Sequence, residues 1–364
     1  DAVDDSVNDL RRVSSKPHPG IPLPTAIYPD RRNSGGLNLA VATERSAISE
    51  AVAALDRSLA HCQPNGASAN DATPIQVVSP ANLLRTVGQW QPATAEDVNR
   101  AGTRAKQAFS KWAASPVETR AACLERAADG IETQRLALMA LLIREAGKTF
   151  ADAQAEVREA ADFCRYYAAR ARELMDAPTP LPGYTGETNT LRHAPRGVVA
   201  CISPWNFPLA IFAGQVTAAL VTGNCVLAKP AEQTTLVADA MCAIFRDAGI
   251  PEDVLHLLPG TGEQLGPALL SLPMLAGVLF TGSMDTARLI NQQLAQRPGA
   301  IVPLIAETGG LNAMIVDSSA LAEQVVADVI ASAFDSAGQR CSALRVMYVQ
   351  ADIAERVIEL LKGA

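Results

Sequence analysis

The sequence predicts an α/β protein whose centre is a parallel sheet. From Arg196 onward, short apolar runs alternate with helical stretches of roughly 10–15 residues, the pattern of strands joined by crossover helices. Hydrophobic residues make up 48% of the 364 residues and aromatic residues only 4%, so the apolar content is mostly aliphatic. Aliphatic strands of this kind are typical of a buried sheet covered by helices.

Helices are predicted to precede this sheet. Apolar residues recur at helical spacing in three earlier stretches: Thr94–Trp112, Pro116–Ile143 and Ala151–Met175. Thr94 is a typical N-cap, and Gly147 is a typical C-cap after the second stretch. Two segments that contain several prolines, Lys16–Pro24 and Gln63–Pro80, favour an extended segment and a loop or linker.

The alternation after Arg196 predicts the order of strands and helices. The predicted strands are Val198–Ile202, Cys225–Ala228, Val254–Leu258, Gly277–Phe280 and Leu304–Glu307. The helices between them are predicted over Leu209–Val221, Thr234–Ala248, Gly262–Leu270 and Thr286–Leu294. The pattern restarts with Ala313–Val316, Ala320–Phe334, Val346–Val349 and Ile353–Leu361. We therefore expect a boundary near Thr308 between two α/β units.

Charge and composition argue against several classes of protein. The chain has 31 Lys and Arg against 38 Asp and Glu, a net charge of −7, and no basic stripe, so nucleic-acid binding through this region is not expected. Its longest apolar run, Leu136–Ile143, is too short to cross a bilayer. Seven cysteines favour a reduced, cytoplasmic protein, and the four histidines lack the spacing of a metal site. Because the chain begins with Asp1 and has no signal-peptide pattern, we expect it to be a processed or excised piece.

One cysteine differs from the others. Five are predicted to be buried because they lie inside apolar stretches: Cys123, Cys164, Cys201, Cys225 and Cys242. Cys62 lies in a loop without charged neighbours. Cys341 follows a predicted helix and stands beside Arg340, and a neighbouring cation lowers the pKa of a thiol. It is a candidate nucleophile, and a structural cysteine between a loop and a strand is the alternative.

A nucleophilic Cys341 requires a base. Neither His193 nor His256 is expected to be exposed beside a nucleophile, and a structural role is preferred for both. Glu307 ends a predicted strand, which is where open α/β sheets bind ligands. Partial burial at that position would raise its pKa and suit it to general base catalysis. The alternative is a solvated carboxylate at the end of a strand.

Polar residues follow three further strands. Asn206, within Pro204–Pro208, is a neutral amide suited to an oxyanion hole, or else a turn residue. Lys229 and Glu232 form either a ribose site or a surface ion pair. Ser283 lies where a strand joins a helix and is either a phosphate ligand or a simple cap. The glycines at 260, 262 and 266 miss the dinucleotide fingerprint by one residue.

Five motifs in a fixed order resemble the NAD(P)-dependent aldehyde dehydrogenase family. They are PWNFP, KPAEQT, FTGS, ETGG and GQRC, and the match runs from about residue 83 to the last residue. The 34 residues from Glu307 to Cys341 are also similar to the family's spacing of base and nucleophile. Stretches such as PLIAETGGLNAMIVDSSAL resemble, within this family, the L-glutamate γ-semialdehyde dehydrogenase domain of bacterial proline utilization A.

The resemblance implies a reaction and its catalytic residues. The fold would be a Rossmann-like NAD-binding domain with the first part of an aldehyde dehydrogenase catalytic domain. Cys341 would attack L-glutamate γ-semialdehyde, and Asn206 with the Cys341 N–H would hold the oxyanion. Hydride would pass to NAD, and Glu307 would activate the water that hydrolyses the thioester to L-glutamate.

The resemblance also implies ligand-binding residues. The cofactor would be bound by Lys229 and Glu232 at the adenosine ribose, Ser283 at the pyrophosphate, and Gly282, Trp205 and Pro204 nearby. A carboxylate at Glu232 would repel a 2′-phosphate, which favours NAD over NADP. The candidate substrate residues are Arg340, Ser342, Phe207 and Glu159.

Further expectations concern organisation and partners. Residues 1–36 would connect to a proline dehydrogenase domain that carries FAD and is absent from this chain, residues 37–307 would hold the N-terminal helices and bind NAD, and residues 308–364 would begin the catalytic domain. The parent protein would be a cytoplasmic homo-oligomer. An alternative is that it is bound peripherally to the inner face of the membrane. Because the family's later cofactor-binding segment and dimerisation hairpin are not found after Cys341, a catalytically incomplete cofactor-binding or assembly fragment is an alternative. Another semialdehyde dehydrogenase that transfers its acyl group to CoA or phosphate is a third, and Glu307 argues against it.

Overall fold

The structure is a computed structural model that describes residues 20–59 and 73–364. Cys62, His18, His61, most of the predicted extended segment and residues 63–72 of the predicted loop lie outside the described residues. In the described part of the chain, no helix is both long and apolar enough to span a bilayer. No cluster of three or more His, Cys, Asp or Glu side chains suited to a metal ion occurs in this part either.

A helical layer with two small hairpins precedes the sheet. Its helices are α1 (Ala42–Leu59), α2 (Ala95–Ala113), α3 (Val117–Thr133), α4 (Arg135–Glu145) and α5 (Phe150–Met175). The antiparallel hairpins are β1 (Ile75–Ser79) with β2 (Asn82–Trp90), and β3 (Thr179–Leu181) with β4 (Asn189–Leu191). Thr94 caps α2 as expected, through a reciprocal capping box with Asp97. Gly147 takes φ +67° directly after the C-cap of α4, which confirms it as a helix terminator.

Three sequence expectations are wrong in the part of the chain before the sheet. The stretch predicted as one helix, Pro116–Ile143, is two helices, because Gln134 takes φ −94° and ψ 14° and breaks the helical path. The predicted loop Gln63–Pro80 contains β1, whose residues 77 and 79 are buried. Pro24 begins a short 3-10 turn, Pro24–Ala26, where an extended chain was expected.

The sheet unit (residues 196–308) confirms the predicted parallel α/β arrangement. Its strands are β5 (Val198–Ile202), β6 (Cys225–Lys229), β7 (Leu255–Leu257), β8 (Leu275–Gly282) and β9 (Leu304–Thr308). They are joined by α6 (Ala210–Val221), α7 (Thr235–Asp247), α8 (Gly262–Ser271) and α9 (Met284–Ala295). The strand order is β7-β6-β5-β8-β9 with all pairings parallel, so the order reverses between β5 and β8. Right-handed crossovers then cover both faces of the sheet, and ligands bind at the carboxyl ends of the strands beside the reversal.

The C-terminal unit (residues 309–364) has a sheet of its own. Its elements are β10 (Asn312–Val316), α10 (Ala322–Phe334), a 3-10 turn (Asp335–Gly338), β11 (Leu344–Val349) and α11 (Ala351–Gly363). β10 and β11 pair in parallel. A small core of this unit is formed by Val316, Ala322, Val325, Val329 and Val357.

The main core lies between the sheet and the helical layer. β6 is buried at every position and β5 at all but its last, because both strands are covered by helices on their two faces. The cysteines predicted to be internal are buried and free: Cys123, Cys164, Cys201, Cys225 and Cys242. Burial raises the pKa of the Cys164 and Cys225 thiols to about 12, which keeps them protonated and unreactive at neutral pH.

Candidate active site

The carboxyl edge of the sheet carries most of the polar residues that the sequence singled out. Asn206 lies in the loop after β5, Lys229 ends β6, Ser283 follows β8, and Glu307 is the fourth residue of β9. In the register of the sheet, Glu307 stands opposite Thr281 of β8. The fold therefore brings these four residues to one edge, where the strand order reverses.

Asn206 joins the sheet unit to the segment that carries Cys341. Its Nδ2 donates to the backbone oxygen of Gln339, 2.6 Å away, two residues before Cys341. An amide nitrogen carries two hydrogens, so one donor of Asn206 is left for another acceptor. The simple turn role considered for Asn206 does not account for this bond across 133 residues of sequence.

Cys341 is the one exposed thiol among the described cysteines. Its backbone oxygen accepts a hydrogen bond of 2.7 Å from Nδ2 of Asn312, at the start of β10. The same amide also donates to the Ala343 oxygen at 3.0 Å, so the turn that carries Cys341 is fixed to the C-terminal unit. Within the described residues, no hydrogen bond engages the backbone N–H of Cys341.

The turn before Cys341 has an unusual backbone. Ser336, Ala337 and Gly338 have φ values of 55°, 53° and 67°, in the left-handed region. A Cβ added at Gly338 would lie 2.8 Å from the backbone oxygen of Ala333, so glycine is required there. Two non-glycine residues in this conformation indicate strain, which accumulates at functional sites and must be held by surrounding contacts.

Glu307 has an exposed side chain. The partial burial expected from its position at the end of a strand is therefore wrong, because β9 is the edge strand of its sheet and three of its five residues are exposed. Within the described residues, no hydrogen bond or ion pair engages its carboxylate, and none joins it to Cys341. The carboxylate is free to bind water.

The residues that flank Cys341 differ in exposure. Ser342 is exposed, whereas Arg340 is half-buried. The Arg340 guanidinium donates through Nη2 to the backbone oxygens of Ala331 and Ser332, in the last turn of α10. This charge therefore caps a helix C-terminus, where a cation is favourable.

Lys229 and Glu232 form an ion pair, but Lys229 is buried, so it is not the surface pair that was the alternative. Lys229 is 4% exposed, and its Nζ donates to the Pro230 oxygen at 2.9 Å. The Glu232 carboxylate lies 3.9 Å from this ammonium and is partly exposed. Burial lowers the pKa of Lys229, and the Glu232 charge opposes that shift. A buried ammonium that faces a partly exposed carboxylate suits a ligand with hydroxyl groups.

The helix N-termini along this edge differ in the groups that accept from their first N–H groups. Oxygens of buried carboxylates accept from the first N–H groups of α6, at Glu156, and of α7, at Glu145. Ser283, in contrast, is exposed and caps α9 by accepting from the Thr286 N–H at 3.1 Å. The buried carboxyl groups therefore occupy the N–H groups that an anion would use at the first two helices, whereas the third N-terminus carries the exposed Ser283, with Asp285 in the first turn of the helix.

The remaining cofactor candidates line the same edge. Pro204 is half-buried, and Trp205 is exposed on the loop after β5. A Cβ at Gly282 would lie 2.6 Å from the ring of Phe280, so only glycine fits directly before Ser283. Gly260 and Gly262 precede and begin α8, and Thr261 caps that helix.

The two histidines considered as bases stay apart from Cys341. His193 is exposed in the segment before β5, away from Cys341. His256 is half-buried, and its Nε2 lies 3.0 Å from the Asp253 oxygen. Burial lowers the pKa of His256. Within the described residues, no contact joins either ring to Cys341.

Sequence reasoning missed a buried lysine that touches several site residues. Lys148 lies between α4 and α5, with its Nζ 4.4 Å from the centroid of the Phe207 ring and 3.1 Å from Oε1 of Glu156. Glu159, the substrate candidate that lies on α5, is exposed one turn beyond Glu156. The sequence contained one signal of a buried ion pair. Glu156 falls on the apolar face of α5, between the buried Ala153 and Ala160, where a carboxylate requires a partner.

Comparisons with known proteins agree with this architecture. The family model described as "Aldehyde dehydrogenase family" matches residues 67–364. The "Bifunctional protein PutA" of Salmonella typhimurium is 49% identical over 355 residues, which cover 96% of this chain and 26% of that protein. A "1-pyrroline-5-carboxylate dehydrogenase" of Geobacillus thermodenitrificans is 40% identical over 295 residues, 79% of this chain and 57% of that protein.

A solved structure is also similar. The 1-pyrroline-5-carboxylate dehydrogenase from Thermus, crystallised with bound NAD, has a TM-score of 0.85 and 32% identity, and the match covers 91% of this chain and 66% of that one. The chain thus spans about a quarter of the length of its PutA relative. The order of the five motifs, the parallel sheet and the family match over most of the chain agree, so the chain belongs to the aldehyde dehydrogenase family.

Proposed function

We propose that this chain provides the cofactor site and the nucleophile for NAD-dependent oxidation of L-glutamate γ-semialdehyde to L-glutamate in proline catabolism. The supporting observation is the hydrogen bond from Asn206 to Gln339, which ties an amide donor to the turn that presents the exposed Cys341. Relatives whose names specify 1-pyrroline-5-carboxylate dehydrogenase support the choice of substrate.

Each catalytic residue has a chemical role. The Cys341 thiolate attacks the aldehyde carbon, and the carbonyl oxygen becomes an oxyanion. The free amide hydrogen of Asn206 and the backbone N–H of Cys341 stabilise this oxyanion, because neither donor titrates. NAD, when bound, accepts the hydride that leaves this carbon. The resulting thioester is hydrolysed by water that Glu307 deprotonates, and the thiolate leaves as the carboxylate forms.

The residues at the carboxyl edge fit NAD. The ammonium of Lys229 and the carboxylate of Glu232 bind ribose hydroxyls, and the Glu232 charge disfavours a 2′-phosphate. The N-terminus of α9 at Gly282 and Ser283 binds the pyrophosphate, since α6 and α7 already hold carboxylates at their N-termini. Pro204 and Trp205 border the site on the loop after β5.

Four residues are proposed for the substrate's amino acid end. Phe207 packs against its aliphatic carbons, and Glu159 attracts its ammonium. Ser342 binds its carboxylate as a hydrogen-bond donor. Arg340 acts on the same carboxylate through guanidinium nitrogens other than Nη2, which already bonds the end of α10.

The relatives' length leads to proposals about the whole polypeptide. Because this chain spans 26% of its PutA relative, we propose that a proline dehydrogenase domain with FAD belongs to the same polypeptide. In this arrangement residues 1–36 connect to that domain, 37–307 bind NAD and 308–364 begin the catalytic domain. The protein would be a cytoplasmic homo-oligomer.

The test is NADH formation from L-glutamate γ-semialdehyde near neutral pH, with Cys341→Ala as the blank. It is run on this chain and on a polypeptide of the relatives' full length that carries this sequence. Glu307→Gln should trap an acyl-enzyme that intact mass spectrometry detects, because hydrolysis then lacks its base. Rapid turnover by this variant contradicts the role of Glu307, and equal NADH formation by Cys341→Ala contradicts the proposed nucleophile.

A further inference from the structure

A buried ion pair lies directly beneath the proposed site. The side chain of Lys148 is 6% exposed, that of Glu156 is not exposed at all, and Nζ lies 3.1 Å from Oε1. Burying two charges is costly and is not by itself a route to stability, since apolar residues of similar volume often serve as well. Stability alone therefore does not explain why this pair is present, and its contacts with the site suggest another role.

The Lys148 ammonium contacts both sides of the proposed site. It donates to the backbone oxygen of Asn206 at 2.5 Å and to Oγ of Ser336 at 3.1 Å. Asn206 belongs to the sheet unit, and Ser336 belongs to the C-terminal unit, 188 residues beyond Lys148. A single cation thus joins the loop of the oxyanion donor to the turn that leads to Cys341.

These contacts fix the orientation of Asn206, the proposed oxyanion donor. The backbone oxygen of Asn206 is held by Lys148, and its Nδ2 is held by the oxygen of Gln339. The Ser336 backbone is in the strained left-handed region, which persists only when neighbouring groups hold it. Oxyanion donors act only when they are held close to the position of the developing charge.

Glu156 anchors the lysine to a rigid element. Its Oε2 accepts from the N–H groups of Leu209 and Ala210, at 3.1 and 3.3 Å, at the start of α6. Burial raises the pKa of Glu156, and the charge of Lys148 opposes that shift. The pair therefore connects α5 and α6 to the loop that carries Asn206.

We propose that Lys148 is a positioning residue, which keeps the oxyanion donor Asn206 and the turn before Cys341 in one fixed geometry. This inference rests on the proposed dehydrogenase function. Lys148 is placed to act through Asn206 and Ser336, and it does not itself touch the reacting atoms.

The first test replaces Lys148 with Met, which keeps the length of the side chain and removes its charge. Because a misplaced oxyanion donor slows the chemical step, we expect kcat to fall about 100-fold while KM for NAD changes less than about threefold. The matched control is Arg165→Met. Arg165 is 5% exposed and pairs with Glu132 at 2.5 Å on the same helical layer, without contact to the site. It should lose stability and keep its kcat.

A second variant preserves the buried pair. Ser336→Ala removes only the acceptor on the C-terminal unit, so the protein should fold normally, and we expect kcat to fall about tenfold, the effect of one lost hydrogen bond. Alkylation of Cys341 by iodoacetamide, followed by peptide mass spectrometry, reports the geometry of the turn without any turnover. Its rate should change at least about threefold in Lys148→Met and Ser336→Ala and stay unchanged in Arg165→Met.

The outcomes separate this inference from the proposed function. A wild type that forms no NADH in either polypeptide contradicts the function, and altered alkylation in the two variants then still supports positioning. Unchanged kcat and alkylation in Ser336→Ala overturn the positioning role. An equal loss of kcat in Arg165→Met overturns it as well, because the effect is then that of any lost buried ion pair.

Discussion

The sheet unit and the C-terminal unit meet at the turn before Cys341 but are buried to different degrees. In the sheet unit, β6 is buried along its whole length. In the C-terminal unit, none of the six residues of β11 is fully buried, and Ile315 and Phe334 are 83% and 65% exposed. Both units have the same parallel α/β pattern, so the difference lies in how much neighbouring structure covers each strand.

This difference affects how the turn before Cys341 is held. The turn at Ser336–Gly338 contributes no residue to the small core of the C-terminal unit. Two long-range hydrogen bonds hold the segment before Cys341, one from Lys148 to Ser336 and one from Asn206 to Gln339. In this chain, a well-packed unit thus carries the candidate cofactor residues, and a sparsely packed unit carries Cys341.

The largest expected effect compares the same residue type in the two units. Phe212 on α6 is 1% exposed and Phe334 at the end of α10 is 65% exposed. Phe212→Ala should lower the free energy of unfolding by about 4 kcal/mol, because it leaves a large cavity in the core. Phe334→Ala should lower it by less than about 0.5 kcal/mol. Urea unfolding followed by circular dichroism measures both. A comparable loss for Phe334→Ala would break the comparison, since it would mean that this face is covered in solution.

The second prediction concerns how the free energy of unfolding depends on pH. In the helical layer, burial raises the pKa of Glu145 to about 7 from its ordinary value of 4.5, although the N–H groups of Leu236 and Val237 oppose the shift. The folded state therefore holds the proton more tightly than the unfolded state. Its contribution, about 3 kcal/mol, is full below pH 4.5 and is lost as the pH rises through 7.

Asp317 in the C-terminal unit has the opposite sign. Hydrogen bonds from Ser319 lower the pKa of its exposed carboxylate below 3.8. Its contribution is therefore present above that pH and is lost only on acidification, so it does not change between pH 5 and 8.

A variant isolates the buried carboxylate. Glu145→Gln keeps the shape but directs an amide N–H toward one helix N–H, so it should be less stable than the wild type at pH 5 by about 1–2 kcal/mol. That gap should close and then reverse in sign as the pH rises to 8, because only the wild type loses the contribution of about 3 kcal/mol from its buried carboxyl group. Thermal unfolding at several pH values measures the gap, with Asp317→Asn as the control. A gap that stays constant would contradict the raised pKa.

Much of the fold follows from local sequence signals. The bounds of β5 and the cap at Thr94 are as predicted, because continuous apolar runs and capping residues act within a few positions. The hairpin of β3 and β4 gave no such signal, since every residue in both strands is exposed. The break at Gln134 was missed because the apolar spacing continues on both sides, and the nearest glycine, Gly130, lies inside α3 rather than at the break.

The candidate site was predicted in part. Strand ends pointed to Asn206, Lys229 and Ser283, because parallel strands place their carboxyl ends at one edge. For Lys148 the one signal was Glu156 on the apolar face of α5, since its other partners lie up to 188 residues away and one of them is a backbone oxygen. Side-chain types in a sequence do not reveal which backbone oxygens come together in the fold.

The smallest effect compares two glycines that both require a positive φ. Gly338, before Cys341, has φ +67°, and Gly299, in the loop before β9, has φ +93°. A Cβ at Gly338 would meet the Ala333 oxygen at 2.8 Å, whereas at Gly299 nothing lies within 4 Å. Gly299→Ala should therefore cost about 1 kcal/mol, from backbone conformation alone. Gly338→Ala should cost about 2–3 kcal/mol, because the clash adds to that strain.

Where the cost of Gly338→Ala falls decides whether the two units are energetically distinct. If the C-terminal unit opens separately, hydrogen exchange should accelerate in α10 and β11 and stay unchanged in β5 and β6. The turn would also lose its geometry, so iodoacetamide should alkylate Cys341 at a changed rate in Gly338→Ala and at the wild-type rate in Gly299→Ala. If exchange instead accelerates equally in both units, they unfold together. The hydrogen bonds of Lys148 and Asn206 would then couple the two units strongly enough to offset the difference in burial.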